Sequence, residues 1–368
     1  MSMKLFSIQQ DQPLNWLDIP ILTDHKRTPE DIVYTISFFA SEAAQHVTRQ
    51  TSIPVMGCSC PNLGRGSMAH LKPSEVDSYR NQGYLLRRQA IKPPDLASVR
   101  TLIMVLVDRH ASQLYQEGKI SCLYEDEPFE RRLALINHQA ELGASLWDLA
   151  QAFDCPELFH LIRHPAILDS LESLLGTEIS WTGSYVTRPK LPRNEGTVWP
   201  WHQDSQYYGQ ATQHLHVVSL WIPLVEVNED NGCLYIIPGS HNWSLLKGQR
   251  ETDNKVHTLE EVEQRGKPVA LPMKQGDILL FSNLTFHASK LNTSSSVRWS
   301  VDLRYMASPQ AQRQTEQQRQ GYDSLKTHYR VEPITVRSRQ PEKVANLPQL
   351  QAFARHYSAL RSTANKNP

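Results

Sequence analysis

Residues 198–209 read VWPWHQDSQYYG. His202 and Asp204 stand two apart, and on a β-strand residues i and i+2 share one face. That face would offer one imidazole nitrogen and one carboxylate oxygen, both good ligands for a first-row transition metal. The pair alone does not decide the matter, because a histidine hydrogen-bonded to a nearby carboxylate is an ordinary structural feature.

A second stretch, GDILLFSNLTFHASKLNTSSSVRWSVDLRY (276–305), carries His287, then Ser289, a turn, and Arg298. Two histidines and one carboxylate form the facial triad of non-haem Fe(II) oxygenases, which leaves three positions on the metal open. An arginine deeper in the fold would match the far carboxylate of 2-oxoglutarate by a bidentate, charge-assisted contact. After the turn, Trp299, Val301, Leu303 and Tyr305 alternate with Arg298, Ser300, Asp302 and Arg304. The apolar set must be buried. If helices cover it, the polar set looks into the interior. A hairpin turning near 292–296 would bring His287 and Arg298 together across two paired strands.

The elements that would position these residues fall in two halves. Before Gly176 the pattern is helical. A helix is expected over 29–49 in an N-terminal extension of residues 1–70. Ser74 with Asp77 reads as a capping pair for a helix closed by Gly83, and YLLRR as a strand. A long helix begins at Pro94, and another helical stretch runs from Ala144 to Gly176. After Gly176 come short apolar or alternating runs at 179–188, 214–227, 232–241, 276–291 and 297–306, separated by turn chemistry such as NEDNG and NTSSS. Strands at that spacing predict a sandwich or jelly roll. With helices laid on one face, the class is α+β. The main domain is expected over 71–310 and a polar, glutamine-rich tail over 311–368.

The 368 residues carry 38 Lys+Arg and 38 Asp+Glu, a formal net charge of zero. That balance gives no reason to expect nucleic acid or an anionic membrane as partner. Five cysteines, with Cys58 and Cys60 too close for a CxxC pair, do not make a disulfide framework. No run approaches the ~20 apolar residues of a membrane span, and the N-terminus lacks a signal-peptide core. The expectation is a cytoplasmic protein acting on a small-molecule substrate.

With WHQD (201–204), LWIPLVEVNEDNGCLYIIPGSH (220–241) and His-Ala-Ser followed by an arginine eleven residues after the histidine (287–298), the chain from about Pro73 to Met306 resembles the phytanoyl-CoA dioxygenase family of Fe(II)/2-oxoglutarate oxygenases. The NGCL…PGSH segment is far more specific than His-x-Asp. The resemblance implies a double-stranded β-helix, a cupin-like jelly roll, with flanking helices. It implies His202, Asp204 and His287 as iron ligands and Arg298 with Ser289 on the 2-oxoglutarate carboxylate. Trp221 would lie beside the cosubstrate, and Ser184 would fall where some members contact it. Arg188 stands where a basic residue is usual. It further implies O2 as oxidant and decarboxylation of 2-oxoglutarate to succinate and CO2. Family halogenases carry a small residue where Asp204 stands, so hydroxylation or a related oxidation is favoured.

Other residues have plainer readings. His241 after its Pro-Gly turn reads as capping or packing, His214 and His216 as satisfied or solvated, and Cys233 as core. Tyr207 and Tyr208 could line a pocket or pack. Trp199 and Trp201 would shield the site, and Asp302 with Arg304 could form an interior ion pair. Two other classes compete: a cupin-like isomerase or zinc hydrolase, and a non-catalytic jelly-roll module. Neither needs Arg298.

Overall fold

The computed structural model describes residues 70–142, 156–308 and 314–353. The helix expected over 29–49, the 1–69 stretch and Cys155 lie outside the described residues.

Helix α1 (Pro73–Gln82) is followed by strand β1 (Tyr84–Arg87) and helices α2 (Ala97–Gln116), α3 (Arg132–Gln139), α4 (Pro156–Ile162) and α5 (Pro165–Leu175). Then come β2 (Ile179–Lys190), β3 (Trp199–His202), the single turn α6 (Ser205–Tyr208), β4 (Val217–Pro223) and β5 (Leu234–Ile236). A ribbon of β6 (Gly248–Arg250) and β7 (Val256–Thr258) precedes α7 (Val262–Arg265), β8 (Val269–Leu271), β9 (Ile278–Ser282), β10 (His287–Ser289) and β11 (Arg298–Ala307). Helix α8 (Glu316–Tyr329) and strand β12 (Ile334–Arg337) follow.

Two antiparallel sheets make the body: six strands in the order β1-β9-β4-β11-β2-β12, and four in the order β3-β10-β5-β8. This is the expected jelly roll of α+β class. β11 shows how it is built. Its apolar set, Trp299, Val301, Leu303 and Tyr305, is fully buried beneath the helical layer. The Trp299 indole donates to Phe129 O at 3.3 Å and the Tyr305 hydroxyl to Ile162 O at the end of α4 at 2.8 Å. Helix α2 buries Val99, Ile103, Val107, Ala111 and Leu114, a stripe at helical spacing. It lies against β2 around Tyr185 and Thr187. With that face closed by helices, the alternate residues of β11 point between the sheets.

Several expectations need correction. The cap of α1 is Lys72, whose backbone N–H donates to Glu75 at 2.8 Å; Ser74 and Asp77 lie inside the helix. Pro73 at the first helical position sets that start, and Gly83 closes the helix at φ +77° as expected. From residue 156 on, the described part of the stretch ending at Gly176 holds two helices, because Pro165 cannot continue α4 and instead opens α5 with His164 as its cap. β10 and β11 are not a hairpin. β10 pairs with β3 and β5, whereas β11 pairs with β2 and β4. The 290–297 turn therefore crosses from one sheet to the other. Past residue 313 the chain packs: β12 pairs with β2, with Ile334 opposite Trp181. Among the described residues no helix is long and apolar enough to cross a membrane.

Candidate metal centre

β3 ends at His202, and Asp204 already has helical dihedrals (φ −55°, ψ −36°) at the start of α6. The two side chains converge because the strand turns into a helical turn, not by the alternation of a continuous strand. The intervening Gln203 points the other way and is fully buried. Its amide donates to Ser244 O at 2.8 Å and Leu284 O at 2.7 Å and accepts from Leu246 N at 2.9 Å. Three hydrogen bonds on the middle residue fix the direction of its neighbours. β10 pairs beside β3 with His287 opposite His202, which supplies the second imidazole.

One ligand atom each from His202, Asp204 and His287 lies within 4.8 Å of the others, and all three residues are buried. The imidazole centroids are 4.1 Å apart, and His287 Nε2 is 3.8 Å from Asp204 Oδ1. His202 Nδ1 meets Pro200 O at 2.7 Å and His287 Nδ1 meets Thr285 O at 3.0 Å. A carbonyl only accepts, so each Nδ1 carries the proton and each Nε2 turns its lone pair inward. Burial, and for His202 the neighbouring His287, holds both imidazoles below their ordinary pKa, His202 at about 3. They are neutral ligands at pH 7.

Asp204 is kept ionised. Burial alone would raise its pKa, but Arg304 above all, with the Ser219 hydroxyl, holds it below the usual carboxylate range. Arg304 Nε and Nη2 each reach a different Asp204 oxygen at 3.3 Å, and Ser219 Oγ donates to Oδ2. Arg304 also lies 3.5 Å from Asp302, which pairs with Arg188 at 2.5 Å. Two neutral imidazoles and one carboxylate held ionised fit a divalent metal.

Next to the triad the interior is cationic. Arg298 is buried, its Nη1 donates to Ser300 at 2.7 Å, and its guanidinium lies 5.2 Å from the Trp221 ring centre. Arg298 Nε has no hydrogen-bond partner. Burial lowers its pKa to about 10. Ser289 Oγ accepts from Lys190 Nζ at 3.0 Å. Trp221 thus lies beside Arg298, and Lys190, opposite Arg298 on β2, reaches Ser289, two residues from His287. Ser184 is buried on β2 near the β2–β11 register shift, and its carbonyl accepts from the Trp181 indole. No described hydrogen bond ties its hydroxyl to the triad.

The rival residues sort themselves. His241 packs outside the triad, its Nε2 2.9 Å from Arg80 O. His216 meets the Tyr79 hydroxyl at 3.1 Å, and the exposed His214 ends a 3-10 turn. Tyr207 stands edge-on to His202 at 5.4 Å, whereas Tyr208 packs against His328 and Tyr329. Trp199 lies 5.8 Å from His202; Trp201 instead donates to Glu263 at 2.7 Å. Cys233 is core. A second grouping of His70, Asp169 and Glu172 is exposed or half-buried, and Arg337 occupies both carboxylates at 2.5 and 2.7 Å.

Three residues tied by hydrogen bonds to the candidate site or its neighbours were not legible in the sequence. Ser219 and Trp221 share one face of β4, so the alternation around the tryptophan was a usable signal. Lys190 lies on β2 directly opposite Arg298, but cross-strand register leaves no trace in a single strand. Gln203 was hidden between two more conspicuous residues.

The model of the phytanoyl-CoA dioxygenase family matches residues 79–300, more than half of the chain. The peroxisomal phytanoyl-CoA dioxygenase of Mus musculus is 22% identical over 240 residues, 64% of this chain and 62% of that protein. A probable phytanoyl-CoA dioxygenase of Caenorhabditis elegans is 21% identical, over 66% of this chain and 80% of that one. The match therefore spans just under two thirds of the mouse protein's own length. A structure of EctD from S. alaskensis with 2-oxoglutarate and 5-hydroxyectoine shows 18% identity and a TM-score of 0.45, covering 65% of this chain and 77% of that one. On the family match, the chain belongs to the phytanoyl-CoA dioxygenase family of Fe(II)/2-oxoglutarate-dependent oxygenases.

Proposed function

We propose that this chain oxidises an unactivated C–H bond of a small-molecule substrate, coupled to conversion of 2-oxoglutarate and O2 into succinate and CO2. The observation that carries the reading is the buried trio of His202, Asp204 and His287, with ligand atoms within 4.8 Å and both imidazole lone pairs turned inward. Iron and 2-oxoglutarate, when bound, supply the oxidising power. The chain's own residues bind and orient. His202, Asp204 and His287 hold the metal, while Arg304 and Ser219 keep the carboxylate ionised and aimed. Arg298 and Ser289 take the far carboxylate of 2-oxoglutarate, and Trp221 supports the Arg298 guanidinium. Trp199 and Tyr207 flank His202 and limit water at the metal. Asp204 occupies the position that a halogenase leaves small, which favours oxygen insertion. The catalytic domain is taken to begin near residue 71, with residues 1–70 as an extension.

A zinc hydrolase or a binding module has no use for an arginine buried beside a metal triad. Anaerobic addition of Fe(II) and 2-oxoglutarate separates the readings. The proposed enzyme develops the visible charge-transfer absorption of the iron chelate, and Asp204→Ala removes it while circular dichroism stays unchanged. A folded wild-type protein that remains colourless sinks the proposal.

A further inference from the structure

Lys190 is 1% exposed, as deeply buried as any charged residue described. Its Nζ donates to Thr197 O at 2.6 Å and to Ser289 Oγ at 3.0 Å. It faces Arg298 directly across the β2–β11 pair, on the interior side. Its stem lies against Gly232, where an added Cβ would fall 2.4 Å from Lys190 Cε. Gly232 has φ +80°, so the glycine of the NGCL turn both makes the turn and leaves room for the lysine.

No described carboxylate lies within ion-pairing distance of Lys190 or of Arg298. Charging both buried groups with no counter-ion is costly, since burial penalises each charge and the two repel, so the lysine resists protonation until an anion is present. A purely structural tie to Thr197 O would be made more cheaply by a neutral donor. The ammonium has a third N–H left after its two hydrogen bonds, and Arg298 Nε is a buried donor without a partner. Both groups would be met by one bound anion.

We propose that Lys190 is a second cationic contact for the far carboxylate of 2-oxoglutarate, acting with Arg298 and Ser289. The inference rests on the dioxygenase reading above. Burial, Arg298, Lys255 and Arg188 hold the Lys190 pKa at about 6, with Glu195 opposing, so the amine is mostly neutral near pH 7 and takes up its proton together with the anion. A bound dicarboxylate supplies the counter-charge and turns a destabilising group into a selective one. The pocket then distinguishes a 2-oxo acid with a far carboxylate from one without.

The test uses the full chain, anaerobic, with Fe(II), and reads binding by tryptophan fluorescence and the charge-transfer band. Two ligands are compared: 2-oxoglutarate, and 2-oxopentanoate, which keeps the chelating end and lacks the far carboxylate. Lys190→Met is expected to weaken 2-oxoglutarate roughly tenfold to a hundredfold, the usual range for one charge-assisted contact. Binding of 2-oxopentanoate and of iron is expected to stay unchanged. Lys190→Gln, which keeps hydrogen-bond donors toward Thr197 and Ser289 without the charge, gives the same pattern and covers a Met variant that does not fold. Unchanged 2-oxoglutarate affinity, or equal weakening of both acids, overturns the assignment. A wild-type protein that binds iron but does not distinguish the two acids overturns the dioxygenase reading as well.

Discussion

Arg304 is the residue on which the charge of Asp204 depends. It reaches both carboxylate oxygens at 3.3 Å in a fully enclosed setting. Arg304→Met would leave the carboxylate with Ser219 and two neutral imidazoles, and a broken buried pair typically costs about 3–5 kcal/mol. Asp204 would then rise toward its protonated form, and iron affinity is expected to drop roughly tenfold to a hundredfold. Denaturant melts of the metal-free protein and an iron titration check both effects; an Arg304→Met protein that matches wild type in both disproves the role. The histidines carry a pH consequence with a definite sign. Their folded pKa values are lowered, His202 to about 3, while an unfolded histidine titrates near ~6.5. As pH falls below ~6.5 the unfolded chain takes up protons that the folded, metal-free chain refuses. Stability therefore declines toward pH 3, at up to about 1.4 kcal/mol per pH unit for each histidine. Melts of metal-free protein at pH 7, 6 and 5 should show the slope, and His202→Gln should flatten it. At this scale the candidate ligands were legible only in combination, since His-x-Asp is common by itself and gains meaning from His287, Arg298 and the more specific NGCL…PGSH segment. Arg304's hold on Asp204 was not, because its neighbour Asp302 on the same strand was the visible partner and Asp204 lies a hundred residues away.

The element that joins the two ends of the site is the corner between β10 and β11. The alternation of β11 predicted which face turns inward, and that reading holds because Trp299 and Tyr305 are anchored to the helical layer. What alternation cannot reveal is which sheet a strand joins. A short turn rich in serine looks the same whether it closes a hairpin or carries the chain across to the facing sheet. Here Asn292 makes the difference. It is fully buried, and its amide donates to Lys190 O at 2.8 Å and Ser296 O at 2.7 Å while its carbonyl oxygen accepts from Ser294. The corner is thereby pinned to the end of β2, which sets Ser289 beside Lys190 and Arg298. Asn292→Ala leaves the buried Lys190 carbonyl short of a donor, at about 1–3 kcal/mol before water relieves it, while the half-buried Ser296 carbonyl keeps Ser294 Oγ at 3.2 Å. The expected signature is a raised KM for 2-oxoglutarate with iron affinity kept, because His287 is held separately through Thr285 and the β3 pairing. Loss of iron binding in parallel with the cosubstrate would show that the corner positions the triad as well.

Over the whole molecule the charges balance, and that neutrality concealed a local excess. Arg188, Lys190, Arg298 and Arg304 converge between the sheets against only Asp204 and Asp302. Net charge informs on partners of the outer surface and says nothing of an interior built to take a dianion and a metal. The chain beyond residue 313 was equally opaque, since a polar, glutamine-rich run leaves open whether it packs. Yet α8 buries Leu325 and Tyr329, and Ser324 Oγ donates to Tyr208 O at 2.7 Å. Gly209 comes so close that a Cβ there would fall 2.4 Å from Ser324 Oγ. Tyr208 and Gly209 close the helical turn that Asp204 caps, so α8 backs the turn that follows the carboxylate. β12 meanwhile covers the edge of β2, which would otherwise offer unpaired backbone groups to other chains. Ending the chain after Ser308 removes both supports. The truncated protein is expected to aggregate or melt well below the full chain. Leu325→Ala, a milder cut at a fully buried position, is expected to cost about 2–5 kcal/mol and to weaken iron binding more than a core change of equal cost in α2, such as Ile103→Ala. If the chain ending at Ser308 folds and still forms the coloured iron chelate at full strength, α8 has no part in holding Asp204.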